Sequence, residues 1–72
     1  MKAYKLIARN NDTGRQYKKW TYVGEDKAVE YAPDIVRRYH NKTFYNGKSY
    51  TVEAYEMTEN VWERIDIARF RD

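Results

Sequence analysis

The chain has 72 residues, no cysteine, a formal net charge of +3 and an aromatic content of 17%, with eight tyrosines among the aromatic residues. This length accommodates one small domain, residues 1–72, and the lack of cysteine excludes a disulfide framework and a thiolate metal site. No apolar run approaches the roughly 18 residues that span a bilayer, and the start lacks the apolar core of a signal peptide, so we expect a cytoplasmic protein that does not enter a membrane.

Two strands open the chain. Apolar and charged side chains alternate with a period of two over residues 2–10, which is typical of a half-buried strand. Turn-forming residues occupy 11–14 and include a glycine that can adopt a positive φ. Residues 15–23 are rich in aromatic and β-branched types, which favour a strand. The sequence therefore predicts an antiparallel hairpin.

A helix follows this hairpin. Gly24 ends the second strand, and Asp26 is the expected N-cap because its carboxylate can accept backbone hydrogen bonds. Six apolar residues share one stripe of 3.6-residue period: Ala28, Val29, Ala32, Ile35, Val36 and Tyr39. Pro33 lies inside the stripe and removes one backbone hydrogen bond, but the stripe stays in phase across it. We predict one Pro-kinked helix over roughly residues 26–40, with two shorter helices as the alternative.

Two more strands complete the chain. Asn46-Gly47 between β-forming residues is a strong hairpin signal, so residues 42–45 form either a short edge strand or the helix exit. Residues 48–57 are predicted as the third main strand and residues 61–70 as the last. The fold class is then α+β, with a four-stranded antiparallel sheet, one helix on one face and the order ββαββ.

One helix covers only one face of this sheet, so the other face must meet solvent or a partner. The predicted core face contains Tyr4, Leu6, Ala8, Trp20, Tyr22, Tyr50, Val52, Ala54, Val61, Ile65 and Ile67. The predicted uncovered face contains Lys5, Ile7, Arg9, Tyr17, Lys19, Val23, Tyr55, Met57, Trp62, Arg64 and Phe70. Exposed rings among cations favour a contact surface. Two alternatives remain open: a one-residue register shift that swaps the faces, or a minor core under Lys and Arg stems.

Charge is distributed unevenly along the chain. Residues 1–24 carry a net charge of +5, residues 25–52 carry +1 and residues 53–72 carry −3. The first interpretation is that oppositely charged strands pair side by side, at about 0.2–1 kcal/mol per cross-strand pair. The second is that one basic face of the molecule meets nucleic acid or an acidic partner.

Catalytic signals are weak. Ser49 is the only serine and His40 the only histidine, and neither has a catalytic motif around it. His40 follows two arginines and is better explained as a helix-end residue that complements the helix dipole. Glu53 and Glu63 could face each other across a strand ladder, but solvated pairing is the ordinary explanation. Metal ligands show no recognisable spacing, so we predict no enzyme, no cofactor and no metal.

Two binding hypotheses follow from the aromatic and basic residues. In the first, the chain binds a protein or a protein–nucleic-acid complex, since Tyr, Trp, Met and Arg are enriched in interface cores. The candidate partner-binding residues are Lys5, Arg9, Arg15, Tyr17, Lys18, Lys19, Arg37, Arg38, Tyr55, Trp62 and Arg64. In the second, nucleic acid binds directly to the basic hairpin and the rings, although six acids crowd the last twenty residues. A monomer and a homodimer both remain open.

Three segments carry a resemblance: MKAYKLIAR, YVGEDKAVEYA and YNGKSYTVEAYEM. With their order along the chain, they resemble small accessory proteins of phages and mobile elements, including anti-CRISPR inhibitors with one helix on an antiparallel sheet. The stretch from Trp20 to Ala32 also resembles the strand-to-helix passage of arm-type DNA-binding domains in phage integrases. The first resemblance implies a non-enzymatic inhibitor of a host defence complex that acts in the host cytoplasm. It carries over no site residues, because no motif aligns residue by residue.

Overall fold

The protein folds as an α+β domain, which confirms the predicted fold class. The computed structural model describes residues 2–71, so Met1 and Asp72 of the predicted domain lie outside the described residues. The elements in chain order are β1 (Ala3–Asn10), β2 (Gln16–Val23), α1 (Glu25–Tyr39), β3 (Lys42–Thr43), β4 (Ser49–Thr58), β5 (Val61–Ile65) and a 3₁₀ helix (Ile67–Phe70). Within residues 2–71, no helix combines the length and apolar character that crossing a bilayer requires.

The sheet is antiparallel and has β1 and β4 at its centre. β1 pairs with β2 on one side and with β4 on the other. β3 and β5 pair with different stretches of β4, at its beginning and its end. Leu6 lies opposite both Trp20 and Ala54, so these three side chains share the face that α1 covers. The period-two pattern therefore predicted the faces of β1 correctly.

The Asn46-Gly47 turn is confirmed, and of the two alternatives for residues 42–45 the structure has the edge strand. The backbone N–H of Phe44 donates to the carbonyl of Lys48 at 2.8 Å, and the N–H of Gly47 donates to the carbonyl of Phe44 at 2.8 Å. Gly47 has a φ of 84°, which glycine adopts without a Cβ penalty. Residues 42–45 thus contain a two-residue edge strand rather than a simple helix exit.

Helix α1 runs through Pro33 as one element, as predicted, but begins differently from the prediction. Gly24, with a φ of 96°, is the N-cap, and no side chain caps the helix there. Asp26 lies in the first helical turn, where its charge complements the helix dipole rather than capping the chain. Val29 is exposed, so the buried stripe is narrower than expected. It consists of Ala28, Ala32, Ile35, Val36 and Tyr39.

The core lies between α1 and the covered face of the sheet. Its β1 and β4 members are Tyr4, Leu6, Ala8, Tyr50, Val52 and Ala54, while Trp20, Tyr22, Phe44, Ile65 and Ile67 pack at its margin. Six of its contacts are aromatic pairs around Tyr39, Tyr50 and Trp20, with ring centroids 4.6–6.2 Å apart. Large rings therefore form much of this small core.

The end of the chain departs from the predicted strand over residues 61–70. The strand stops at Ile65, because the Asp66 carboxylate accepts a hydrogen bond from the backbone N–H of Ala68 at 2.9 Å and starts a 3₁₀ turn. That turn breaks the alternation and places Phe70 in the core, 4% exposed and edge-on to the Tyr4 ring at 6.0 Å. Assigning Phe70 to the uncovered face was therefore wrong.

Val61 was also wrongly assigned, because it is exposed rather than part of the core. It opens β5 directly after the turn at Glu59 and Asn60, both of which have positive φ values of 51° and 66°. Thr58, Glu59 and Asn60 are all exposed, so this end of the hairpin is solvated on both faces. Val61 is in phase with the core along β5, but it is exposed because it lies at this solvated end.

Replacing Tyr4 with phenylalanine is expected to leave the free energy of unfolding unchanged or to raise it by up to about 1 kcal/mol. The Tyr4 side chain is buried, and its hydroxyl has no partner in hydrogen-bonding geometry among the described residues. Removing an unpaired buried hydroxyl removes a desolvation cost while the ring contacts remain. Urea unfolding of both chains measures the difference. A loss above 1 kcal/mol would show that this hydroxyl is bonded in solution, with Glu56, which together with burial raises the pKa of Tyr4, as its partner.

Candidate binding surface

The face of the sheet opposite α1, here called the outer face, is uncovered along all four main strands. Strand register places on it Lys5, Ile7, Arg9, Lys19, Thr21, Val23, Glu53, Tyr55, Met57, Trp62 and Arg64. Lys5 lies opposite Tyr55, and Tyr55 lies opposite Arg64 on the next strand. Nine of the eleven residues predicted for an uncovered face are therefore found there, and Tyr17 and Phe70 are not.

Glu53 is the centre of the polar contacts on the outer face. Its Oε1 accepts hydrogen bonds from Arg9 Nε at 2.7 Å and from the Tyr55 hydroxyl at 2.8 Å, and its Oε2 lies 3.5 Å from Arg64 Nη1. The side chain is only 15% exposed. Burial alone would raise the pKa of Glu53, but the hydrogen bonds from Arg9 and Tyr55 and the charge of Arg64 outweigh it and hold the pKa below its ordinary value. This carboxylate is therefore ionised at neutral pH and fixes three neighbouring side chains.

Aromatic rings and a lysine form the second part of the outer face. Lys5 Nζ lies 4.6 Å from the centre of the Trp62 ring and 5.1 Å from the centre of the Tyr55 ring. Such cation–π contacts contribute about 0.5–1 kcal/mol each at exposed sites. Ile7, which lies between Lys19 and Glu53 of the neighbouring strands, is only 5% exposed. The outer face is thus an ordered layer in which Tyr55 and Trp62 remain half-buried rather than sealed.

The outer face is basic. It carries four cations, Lys5, Arg9, Lys19 and Arg64, and among the described residues Glu53 is its single carboxylate. The other acidic residues of β4 and β5 are Glu56 and Glu63, which pair with each other across the two strands. Their parity is opposite to that of Glu53, so they lie on the helix side of the sheet. Strand pairing therefore separates the charges between the two faces, and the acidic end of the sequence does not neutralise the outer face.

Tyr17 and Lys18 lie on the helix side of the sheet, contrary to the prediction for Tyr17. A β-bulge shifts the register so that Ala8 opposes Lys18 while Arg9 opposes Gln16, which leaves Tyr17 as the extra residue. The Tyr17 ring stacks on Tyr50 with centroids 4.6 Å apart. Lys18 Nζ lies 3.5 Å from the Tyr39 hydroxyl. A period-two pattern cannot reveal a bulge, which explains the error.

The other predicted cations lie apart from the outer face. Arg15 is exposed beside the turn between β1 and β2. Arg37 and Arg38 lie in the last turn of α1, and each contacts Asp34, at 3.1 and 3.2 Å. The eleven candidate residues therefore divide among the outer face, the helix side, one turn and the helix end. The outer face holds six of them: Lys5, Arg9, Lys19, Tyr55, Trp62 and Arg64.

The paired carboxylates considered for acid–base chemistry do not face each other. Glu63 lies opposite Glu56, while Glu53 lies between Arg9 and Arg64. His40 follows the last residue of α1, as predicted for a helix-end residue, but its Nδ1 accepts a hydrogen bond from the N–H of Val52, so the ring is neutral and does not complement the helix dipole. Within residues 2–71, no group of three or more His, Asp or Glu side chains has the arrangement of a metal site.

The sequence pattern did not identify Glu53 as the centre of this surface. Its position has the same parity in the strand as Tyr55 and Met57, which were both assigned outward, so the period-two rule was sufficient to place it on the outer face. What the pattern could not show is that two arginines from different strands converge on it. Such convergence depends on the register between strands.

Comparisons of the chain with models of protein families, with curated proteins and with solved structures found no match.

Proposed function

We propose that this protein is a small non-enzymatic binding protein whose outer face docks on an acidic surface of a partner protein or protein–nucleic-acid complex. The observation that carries the proposal is the composition of that face: half-buried Tyr55 and Trp62 beside four cations, with one carboxylate that is itself paired. Aromatic residues, methionine and arginine are enriched at the centres of interfaces, and Trp, Tyr and Arg dominate their binding energy. The same combination fits the phage-type inhibitor role that the sequence resemblance implies.

A protein-containing partner fits this surface better than free nucleic acid. Single-stranded nucleic acid needs ring faces open to stacking bases and cations free to follow a phosphate chain. Here Lys5 lies over both rings, and Arg9 is held by a carboxylate at 2.7 Å. The pre-ordered side chains lose little entropy on docking, which favours a specific protein surface. Direct nucleic-acid binding is the competing outcome in the tests below.

Photo-crosslinking from the outer face tests the proposal. Benzoylphenylalanine replaces Met57 on the outer face and, as a matched control, Tyr45, which is fully exposed in the Asn46-Gly47 turn. The full chain is expressed in its source cells and irradiated there. We expect a discrete protein adduct from position 57 that position 45 does not give. Equal adducts from both positions, or none from position 57, would contradict the proposal. Adducts with nucleic acid alone would favour the alternative.

Changing Lys19 to glutamate is expected to weaken binding to the crosslinked partner by about tenfold or more, because it places a carboxylate on a face that meets an acidic surface. Lys19 is exposed and lies opposite Ile7 on the outer face. Lys48→Glu changes the net charge equally in an exposed turn and serves as the control. Surface plasmon resonance with the purified partner measures both variants. Equal losses would show that net charge alone, rather than the outer face, sets the affinity.

A further inference from the structure

A second basic site lies at the end of α1, separate from the contacts around Glu53. A cleft of about 300 Å³ is lined by Val36, Arg37, His40, Lys42 and Arg71. Three of these five residues are cations, one is the single histidine, and none carries a carboxylate. A wider cleft of about 530 Å³ shares His40 and Arg71 with it. Two stretches of the chain, residues 36–42 and Arg71, therefore place donor groups around one concavity.

The His40 ring is neutral and has one N–H donor, which can bind an anion. Its Nδ1 accepts a hydrogen bond from the backbone N–H of Val52 at 3.1 Å, so the neutral ring carries its proton on Nε2. Burial, and then the charge of Arg71, lower the pKa of His40 below its ordinary value, so the ring is neutral at pH 7. The Nε2–H is thus the ring donor left for a ligand.

Two carboxylates beside these clefts have partners of their own. Asp34 is shared between Arg37 and Arg38, at 3.1 and 3.2 Å. Asp66, which lines the wider cleft, accepts the hydrogen bond of the Ala68 N–H at 2.9 Å. Neither lines the smaller cleft, whose described lining consists of Val36, three cations and the neutral His40 ring.

We propose that the smaller cleft binds a phosphate monoester, with Lys42 and Arg71 supplying charge and His40 Nε2 a hydrogen bond. A monoester concentrates nearly two negative charges and three acceptor oxygens in one group, which matches converging donors in a concave site. A phosphodiester chain spreads single charges along its length and requires a track of cations instead. None of the residues that line the smaller cleft lies on the outer face, and the ligand of this cleft goes beyond the proposed function.

NMR titration of the full chain with inorganic phosphate, at constant ionic strength, tests the site. We expect saturable shifts of the His40 imidazole and of the Val52 amide, which is bonded to it. Lys42→Ala and Arg71→Ala should each weaken the phosphate affinity by about tenfold. Lys48→Ala, which removes an equal charge from the hairpin that follows β3, should leave the affinity within about twofold. His40→Asn retains an acceptor for Val52 and removes Nε2, so it should weaken binding without unfolding the chain.

Two esters identify the source of the phosphate. Phenyl phosphate represents a phosphorylated side chain, and a 5′-phosphorylated dinucleotide, compared with its 5′-hydroxyl form, represents a nucleic-acid end. Tighter binding of either ester than of inorganic phosphate assigns the source. Shifts that rise linearly without saturation, or an equal loss in Lys48→Ala, would overturn the site. The same spectra show whether each variant is folded, so loss of binding through unfolding is distinguished from loss of the site.

Discussion

Trp62→Ala is expected to weaken binding to the partner by about tenfold or more while lowering the free energy of unfolding by only about 1 kcal/mol. The Trp62 ring is half-buried on the outer face, and its closest charged contact is Lys5 Nζ, 4.6 Å from the ring centre. Truncating it removes a large interface anchor and also frees Lys5, but it opens no cavity in the core beneath α1. Calorimetric titration with the crosslinked partner measures the affinity, and urea unfolding measures the stability.

Val61→Ala provides the control for this substitution. Val61 is the neighbouring residue, apolar and exposed, and it lies outside the outer face. Its loss should change neither the affinity nor the stability by more than about 0.5 kcal/mol. If Trp62→Ala unfolds the chain, the ring belongs to a structural layer, and the minor-core interpretation of this face is correct. If affinity is unchanged in a folded Trp62→Ala chain, the outer face is not the docking surface.

The strand alternation and the helical stripe predicted most of the fold because both depend on local periodicity. Tyr4, Leu6 and Ala8 face α1 as their parity requires, and the stripe remains in phase across Pro33. The departures come from features that periodicity cannot encode. The bulge rotates Tyr17 to the helix side, and the Asp66 cap ends β5 and turns Phe70 into the core. The bulge changes the face of Tyr17 alone, since Lys19 and Val23 lie outward as predicted, whereas the Asp66 cap ends the strand alternation after Ile65.

The candidate surface was less predictable than the fold. The period-two alternation predicted Tyr55, Trp62 and Lys5 to face outward. Residue type alone grouped Arg15, Lys18 and Arg38 with them as candidate binding residues. Strand register and the position of α1 place these three on other sides of the molecule. Conversely, Glu53 gained its importance only when Arg9 and Arg64 came together from two different strands. Contacts between strands that are distant in sequence are set by tertiary structure, so no local pattern contains them.

Glu53→Gln is expected to lower the free energy of unfolding at pH 7 by about 1–2 kcal/mol. The amide retains the shape of the side chain and an acceptor for the Tyr55 hydroxyl, but it loses the charge that holds Arg9 at 2.7 Å and Arg64 at 3.5 Å. Arg9 is partly exposed, so solvent screening keeps this loss below that of a fully buried ion pair. Urea unfolding of both chains at a series of pH values measures the effect.

The pH dependence of that difference identifies its cause. The pKa of Glu53 is lower in the folded chain than its ordinary value, so its charge stabilises the fold above about pH 4.3, the pKa of an unperturbed glutamate. That contribution is lost as the pH falls through the lower folded pKa. The unfolding free energies of the wild type and Glu53→Gln should therefore converge on acidification. A difference that stays constant down to low pH would show that the ion pairs contribute nothing and that altered packing explains the loss.

The same variant separates the two binding hypotheses. The charge of Glu53 would repel the phosphates of a nucleic acid, but it holds Arg9 and Arg64 in place for contact with a partner protein. If the partner is a protein, Glu53→Gln removes the charge that fixes Arg9 and Arg64, so dissociation from the partner should accelerate several-fold. On free nucleic acid, removal of the single described carboxylate of the outer face should instead raise the affinity and steepen its salt dependence. Fluorescence anisotropy on random oligonucleotides, beside dissociation kinetics with the crosslinked partner, distinguishes the outcomes. Tighter oligonucleotide binding with unchanged partner kinetics would replace the proposed function by the nucleic-acid alternative.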